Sequence, residues 1–517
     1  MDGRHYTQHG MPGSACTQDT QAKPRSGCCT LFGICKKLAF ALGLSLTLIA
    51  ALQSSVLINH MSVQVPGLAI PKILLPSSGV ELDKWAVVAC DQYTSEPEYW
   101  ARVEETVGDN LSTLRMILPE VHLPKKDQSE AEQEQARDGV KERITAINST
   151  MRKYLADNVL VEHEGLVYLE RVARGKLRRG VMVAVDLEEY DFSKGSTSLI
   201  RATEKTVPER LPPRVEIRKD APLELPHIMV LMDDPTDSIV SALTAAAEKK
   251  TLTKLYDVEL MEESGHVTGY ALPDDLQRQT MAGIKALFDK EAYNARYNLT
   301  GEPKSQLIFG MGDGNHSLAT AKYIWEDLKE KAQGFENVKN DRRRYALVEL
   351  NNVHDEGIVF EPIHRVLFGM KTDFMAHLES TLEGVTTEEV PDLATLKAKV
   401  EAPMAEGHHV FGVLENGKFF LKHCTSPAAN VYGVVQPMIE AMDKAGQFKE
   451  VDYTHGDEVT LEKGMESGNV GVYLPTLPKS SFFKSVLVDG VLPCKSFSMG
   501  EADEKRFYLE CRRILEQ

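Results

Sequence analysis

"FGMGDGNHSLATAKYIW", residues 309–325, sets an acid, an amide, a histidine and a serine between an apolar run and an amphipathic stretch. The preceding "SQLIFGMG" (305–312) is apolar and ends in glycines, as a strand entering a tight turn does. From Leu318 onward the apolar positions Leu318, Ala321, Ile324, Trp325 and Leu328 recur at helical spacing. The pattern predicts a strand, a tight turn, and the first turn of a helix across Asp313 to Ser317. Such a junction gathers backbone N–H groups and the positive end of a helix dipole, and it attracts anions. Gly312 and Gly314 would let the backbone approach a ligand closely. Asp, Asn and Ser are also favoured helix caps, so one of the three is expected to cap. A cap needs neither the histidine nor the glycines, and that excess points to a ligand.

The flanking chain alternates strand and helix signals. "VPGLAIPKILLP" (65–76) reads as extended, and "KWAVVACDQYTSEPEYW" (84–100) as a strand, a polar turn and a helix starting at Pro97. Residues 127–155 suit a solvated helix. "LVYLERVA" (166–173) and "GVMVAVDL" (180–187) read as strands joined by the basic turn "RGKLRRG". "HIMVLMDDP" precedes helices at 235–250 and 273–293, and "RRYALVELNNV" (343–353) reads as a buried strand. "HHVFGVLENGKFFLKH" (408–423) is a hairpin turning on Asn416-Gly417. Helical patterns at 435–446 and 503–515 complete the chain. The fold class is α/β or α+β, a mixed sheet with helices. Two intertwined subdomains, 62–300 and 301–517, are expected behind the N-terminal segment.

That segment differs from the rest. Residues 1–37 are rich in Gly, Pro, Ser, Thr and Gln and read as a disordered tail. "LAFALGLSLTLIAALQSSVLI" (38–58) carries no charge and is long enough to cross the roughly 30 Å of a bilayer core. Lys36 and Lys37 precede it, an arrangement that keeps the tail cytosolic. The expectation is a single-pass membrane protein bound to the lipid bilayer through 38–58. The alternative is a targeting or secretory signal that is cleaved. Cys28, Cys29 and Cys35 lie where palmitoylation occurs, or are unmodified thiols of the tail. Cys90, Cys424, Cys494 and Cys511 are too widely spaced for a disulfide framework and fit a reducing compartment. Asn110, Asn148, Asn298 and Asn315 all begin glycosylation triplets, and a glycan on Asn315 would block the polar turn.

Composition is that of a folded protein, 42% hydrophobic and 26% charged, with a formal net charge of −17. That acidity argues against a nucleic-acid partner, whose binders present a basic face to phosphate. The cations best placed to neutralise a bound phosphate lie in the proline- and arginine-rich segment 200–226, with Arg201 and Arg214 preferred. His364 and Arg365 in "FEPIHRVLF" follow a turn and would form a second wall, unless His364 only packs. His455 with Asp457 and Glu458, which could hold Mg²⁺ or simply start a helix, and His266 are weaker candidates, and Cys90 reads as a buried apolar residue rather than a strand-end nucleophile. No Walker A loop, zinc quartet, HExxH or GxSxG occurs, and no metal ligands are assigned.

"GMGDGNHSLATAK" occurs with "ILLP…WAVVACDQYTSEPEYW", "IRATE…PPRVEIR…APLELPHIM", "RYALVELNNVHD…FEPIHRVLF", "DYTHGDE" and "CKSFSMGEADEKRFYLECR". Together these resemble the uncharacterised bacterial family known as domain of unknown function 1015, from about residue 68 to 515. Members commonly carry D-G-H-H-R where this chain has Asp313-Gly314-Asn315-His316-Ser317. That string is similar to the phosphate-contacting turn of the ParB/sulfiredoxin superfamily, which includes free-serine kinases. The resemblance implies nucleotide phosphates cradled at the helix start; Ser317 replaces the arginine and removes one direct phosphate clamp.

Two functions fit these residues. One is a phosphate- or nucleotide-dependent enzyme, a phosphotransferase on a small polar substrate using ATP or ADP with Mg²⁺. Asp313 would serve as base or metal ligand, with Asn315 and His316 orienting phosphate or substrate. Asp313 and His316 are the catalytic candidates, and Gly312, Gly314, Asn315, Ser317, Arg201, Arg214, His364 and Arg365 the binding ones. The other is a non-catalytic module that binds a nucleotide or metabolite at a membrane. Either way the ligand is a small anionic molecule.

Overall fold

The apolar runs collect into two large sheets. A computed structural model describes residues 63–125, 128–206, 211–299, 305–493 and 495–515; the tail at 1–37 and the apolar run at 38–58 lie outside the described residues. The first sheet has ten strands of mixed direction. Its order is Thr253–Glu259, His266–Ala271, Val167–Ala173, Lys176–Asp186, Tyr345–Asn352, Met229–Met232, Phe309–Asp313, Ile200–Arg201 and Tyr190–Asp191, with Leu68–Ala69 added to Lys176–Asp186. Met229–Met232 runs parallel to Tyr345–Asn352 and antiparallel to Phe309–Asp313. These central strands are buried on both faces, which explains their unbroken apolar sequence. Strands from both sides of residue 300 thus pair in one sheet.

The second sheet begins at Phe360 and is antiparallel in every described pair. Its order is Glu383–Val390, Lys418–Thr425, His408–Glu415, Val470–Tyr473, Phe360–Phe368 and Glu450–His455, with Phe497–Met499 also on Phe360–Phe368. One hydrophobic core runs from Met229, Phe309 and Trp325 to Phe360, Phe411 and Phe482, so the two sheets share it. A second core gathers Trp85, Tyr99, Trp100, Val103 and Tyr508. Residues 63–517 form one compact unit. Among the described residues no helix is long and apolar enough to cross a membrane.

Local signals succeed where the chain decides alone. Pro97 sits at the first turn of the Pro97–Val107 helix, and Asn416 (φ 52°) with Gly417 (φ 76°) turns the hairpin. Three expectations need correction. The turn after Ala173 is only Arg174-Gly175, with φ of 48° and 73°; Lys176 to Arg179 extend the next strand. Arg178 there is buried beside Glu349, and Arg179 pairs with Asp355 at 2.7 Å. The helix expected over 273–293 is two, Asp274–Ala286 and Lys290–Tyr297, because Asp289 caps the second by accepting from the Ala292 N–H at 2.9 Å.

The third concerns 503–515, which forms no α-helix: Asp503 and Glu504 end a single 3-10 turn, Ala502–Glu504, and the chain from Lys505 on is non-helical. Phe507–Tyr508 pairs with Val87–Val88, and Arg512–Arg513 with Leu223–Glu224. Arg506 to Arg512 are all buried, so this segment is a strap through the interior. Its helical pattern is overridden because its backbone and its charges find partners in other parts of the chain.

Candidate functional site

The Phe309–Asp313 strand ends opposite Met229, and the chain enters the Asn315–Lys331 helix through a single residue. Gly314 makes that turn at φ 78°, in the left-handed region. A Cβ there would lie 3.0 Å from Ile228 Cα, and one at Gly312 would lie 2.8 Å from Met499 Sδ. Gly314 is therefore required by its φ and by the backbone beside it, whereas at Gly312 the close atoms belong to the Met499 and Leu231 side chains, which can shift. The Gly314 carbonyl accepts from the N–H groups of Ser317 and Leu318, each at 3.0 Å, so the helix starts at once.

None of the three polar residues caps the helix in the way the sequence predicts. Asp313 Oδ1 accepts from the Gly314 N–H at 2.9 Å, and its Oδ2 lies 3.2 Å from Lys505 Nζ. Lys505 comes from the C-terminal strap, with about a tenth of its side chain exposed (11%). Asn315 Oδ1 is buried and has no hydrogen-bond partner. His316 opens the helix half-buried, and its carbonyl accepts from Thr320 Oγ1 at 2.7 Å. Next to Asp313, burial pushes the Glu204 carboxyl up to about 7, and the Asp313 charge adds to the shift. Glu204 Oε1 is also buried without a partner.

Ser317 faces a different set of groups. Its Oγ is 2.9 Å from His227 Nε2, and His227 Nδ1 is 2.7 Å from the Tyr508 hydroxyl. The Cys90 N–H donates to that hydroxyl at 3.2 Å. Asp91 Oδ2 lies 3.9 Å from His227 Nε2. Burial opposes ionisation of Asp91, but His227, a Gln92 hydrogen bond, Lys505 and Arg214 together hold its carboxyl below the usual range. Burial pushes the Cys90 thiol up to about 12, so it is no thiolate nucleophile.

Arg214 reaches this region. It sits on the Leu211–Arg218 helix, pairs with Glu120, and lines a cavity with Ser317 and His227. Arg201 does not reach it: the guanidinium donates to the Ser198 carbonyl at 2.7 Å and to Ser305 Oγ at 2.6 Å, towards the opposite end of the Phe309–Asp313 strand. His364 and Arg365 lie mid-strand in the second sheet. His364 stacks on Tyr473, with ring centroids 4.0 Å apart, and its Nδ1 accepts from the Leu474 N–H at 3.1 Å. Burial pulls its imidazole down to about 4, so it is a neutral packing residue. Arg365 is fully buried, donating to Gln436 Oε1 at 3.0 Å and lying 5.0 Å from the Tyr453 ring centroid. His266 is held between Asp257 at 2.5 Å and Glu259 at 2.9 Å. Among the described residues no group of three or more His, Cys, Asp or Glu converges as metal ligands would.

The arrangement combines a helix N-terminus, a lysine on the first carboxylate, and a second carboxyl that titrates near neutrality. These are the means to hold an anion and to move a proton. The sequence reading missed Lys505, Glu204, His227 and Asp91. His227 and Lys505 lie in stretches that carry the resemblance, "LPHIM" and "GEADEKRF"; nothing in their local spacing marks them.

The family model described as "Protein of unknown function (DUF1015)" matches residues 74–445. The chain belongs to the DUF1015 family. The match is narrower than the 68–515 suggested by the motifs, and it leaves the strap with Lys505 and Tyr508 outside it. No curated protein matches this DUF1015 chain. Among solved structures it is similar to a mutant free serine kinase in complex with AMP, at 12% identity and TM-score 0.32, covering 66% of this chain and 92% of that one. It is also similar to a conserved hypothetical protein from Pyrococcus furiosus, at 14% identity and TM-score 0.29, covering 65% and 94%. SbnI from Staphylococcus aureus matches at 10% identity and TM-score 0.29, covering 61% and 81%. Scores this low carry nothing about the site.

Proposed function

We propose that this DUF1015 protein is a phosphotransferase that binds ATP or ADP with Mg²⁺ at the Asp313–Ser317 turn and acts on a small molecule. The observation that carries the reading is the Lys505–Asp313 pair at 3.2 Å, set where a strand delivers the chain into a 17-residue helix. A phosphate there meets the positive helix end and the lysine together. Asp313 then holds Mg²⁺ or takes the acceptor's proton, and Glu204 supplies a second proton site. Such a division fits phosphoryl transfer, in which positioning and electrostatics do most of the catalysis. The apolar run 38–58 anchors the enzyme to a membrane in this reading, and carbonate-resistant membrane association is expected; full release would remove the anchor.

The test is thermal stability of the protein against ATP, ADP, AMP, GTP and pyrophosphate, with and without Mg²⁺. A nucleotide at a hundred times its dissociation constant stabilises by about 2.7 kcal/mol. That shift is expected for wild type and is expected to be lost in Lys505→Met. No shift with any of them overturns the nucleotide site. In Asp313→Asn the enzyme loses turnover while nucleotide affinity stays within about tenfold; turnover that follows affinity alone would favour the non-catalytic binding module.

A further inference from the structure

The cavity beside the polar turn has a chemistry of its own. Its volume is about 130 Å³. Met116, Ile117, Leu118, Ile217, Ala221 and Leu225 supply much of its apolar wall. Its charges are matched: Arg214 pairs with Glu120, and Arg218 with Glu224. A charged guest would have to break one of those pairs, at the cost of an uncompensated charge in a poorly hydrated place. The hydrogen-bonding end consists of Ser317, His227 and Tyr508, linked at 2.9 and 2.7 Å. Thr320, on the same helix face, already spends its donor on the His316 carbonyl. Ser317 Oγ bonds His227 and keeps capacity for one more partner, because a hydroxyl both donates and accepts.

We infer that this cavity binds a neutral molecule with a single-ring apolar body and one hydroxyl, a phenol or benzylic alcohol in class. The size argues for one ring: an apolar protein cavity of about 150 Å³ holds benzene. The matched charges argue for neutrality, and the Ser317–His227–Tyr508 chain argues for a hydroxyl, which it can meet as donor or acceptor by a tautomer change at His227. The cavity adjoins the turn through Ser317, but the inference does not depend on the nucleotide reading.

The test uses the full-length protein with phenol, benzyl alcohol, toluene and benzoate as probes, read by saturation-transfer NMR and by thermal shift. Phenol and benzyl alcohol are expected to bind, toluene about tenfold more weakly, and benzoate not at all. Ala221→Phe fills the cavity and is expected to abolish phenol binding. Should that variant fail to fold, as judged by its circular dichroism, Ala221→Leu takes its place. Ser317→Ala is expected to bind phenol and toluene alike, losing the hydroxyl preference. No binding of phenol and benzyl alcohol to wild type overturns the inference, as does phenol binding that Ala221→Phe or Ala221→Leu leaves intact. A hydroxyl preference that survives Ser317→Ala overturns the assignment of the polar end. ATP shifts recorded on the same samples keep the two sites apart: phenol binding without an ATP shift removes only the nucleotide reading, and the converse removes only this one.

Discussion

At Gly314 two demands coincide. The φ of 78° disfavours any L side chain, and a Cβ would press on Ile228 Cα at 3.0 Å. Gly314→Ala is expected to destabilise by roughly 1–3 kcal/mol, measured by urea unfolding; a change within error would mean the turn relaxes freely. Glu204 offers a test by pH. Burial raises its carboxyl from the usual 4.5 to about 7, so the folded state holds a proton that the unfolded state has lost between those values. Stability from this group is therefore highest at low pH and falls as pH rises through that window. Glu204→Gln removes the decline, and its unfolding midpoint is expected to gain on wild type between pH 5 and pH 8. Parallel curves would show that Glu204 ionises normally. The sequence showed the turn's own residues plainly, because Asp313 to Ser317 are contiguous. It hid Glu204 and Lys505, which reach the turn from segments a hundred or more residues away in either direction.

Elements were legible where their ends are locally coded. The solvated helix read over 127–155 is Glu130–Ala156, opened by a capping box in which Ser129 and Glu132 satisfy each other's backbone N–H groups. Ser129→Ala is expected to cost about 1 kcal/mol in chemical denaturation; no loss would mean the first turn frays in the native protein. The helix at the polar turn follows another rule. Its start is set by Gly314, and Ser317 is drawn off to His227. Capping preference marked the right place but not the right partner, because a histidine ninety residues earlier competes for the hydroxyl. His364 shows the same limit. A strand position stacked on Tyr473 looks in sequence like the opening of an amphipathic run.

In the whole molecule the C-terminal strap binds the parts together. Arg506 donates to Glu349 at 2.9 Å and to Glu510 at 2.8 Å, all nearly inaccessible, while Arg512 pairs with Glu224. Burial opposes ionisation of Glu349, but Arg178 and Arg506 hold its carboxyl down at about 2. Arg506→Met leaves buried carboxylates short of a partner and is expected to cost roughly 3–5 kcal/mol, seen as a lowered unfolding midpoint; a neutral result would show that the network adds nothing. The sequence by itself determined the class of the fold, the buried central strands, the 408–423 hairpin and the polar turn, because each follows from residues next to one another. Only the tertiary structure decided that strands on both sides of residue 300 share a sheet, that 503–515 forms no α-helix, and which cation meets Asp313. Those outcomes depend on contacts between distant segments, whose burial and charge pairing outweigh local preference.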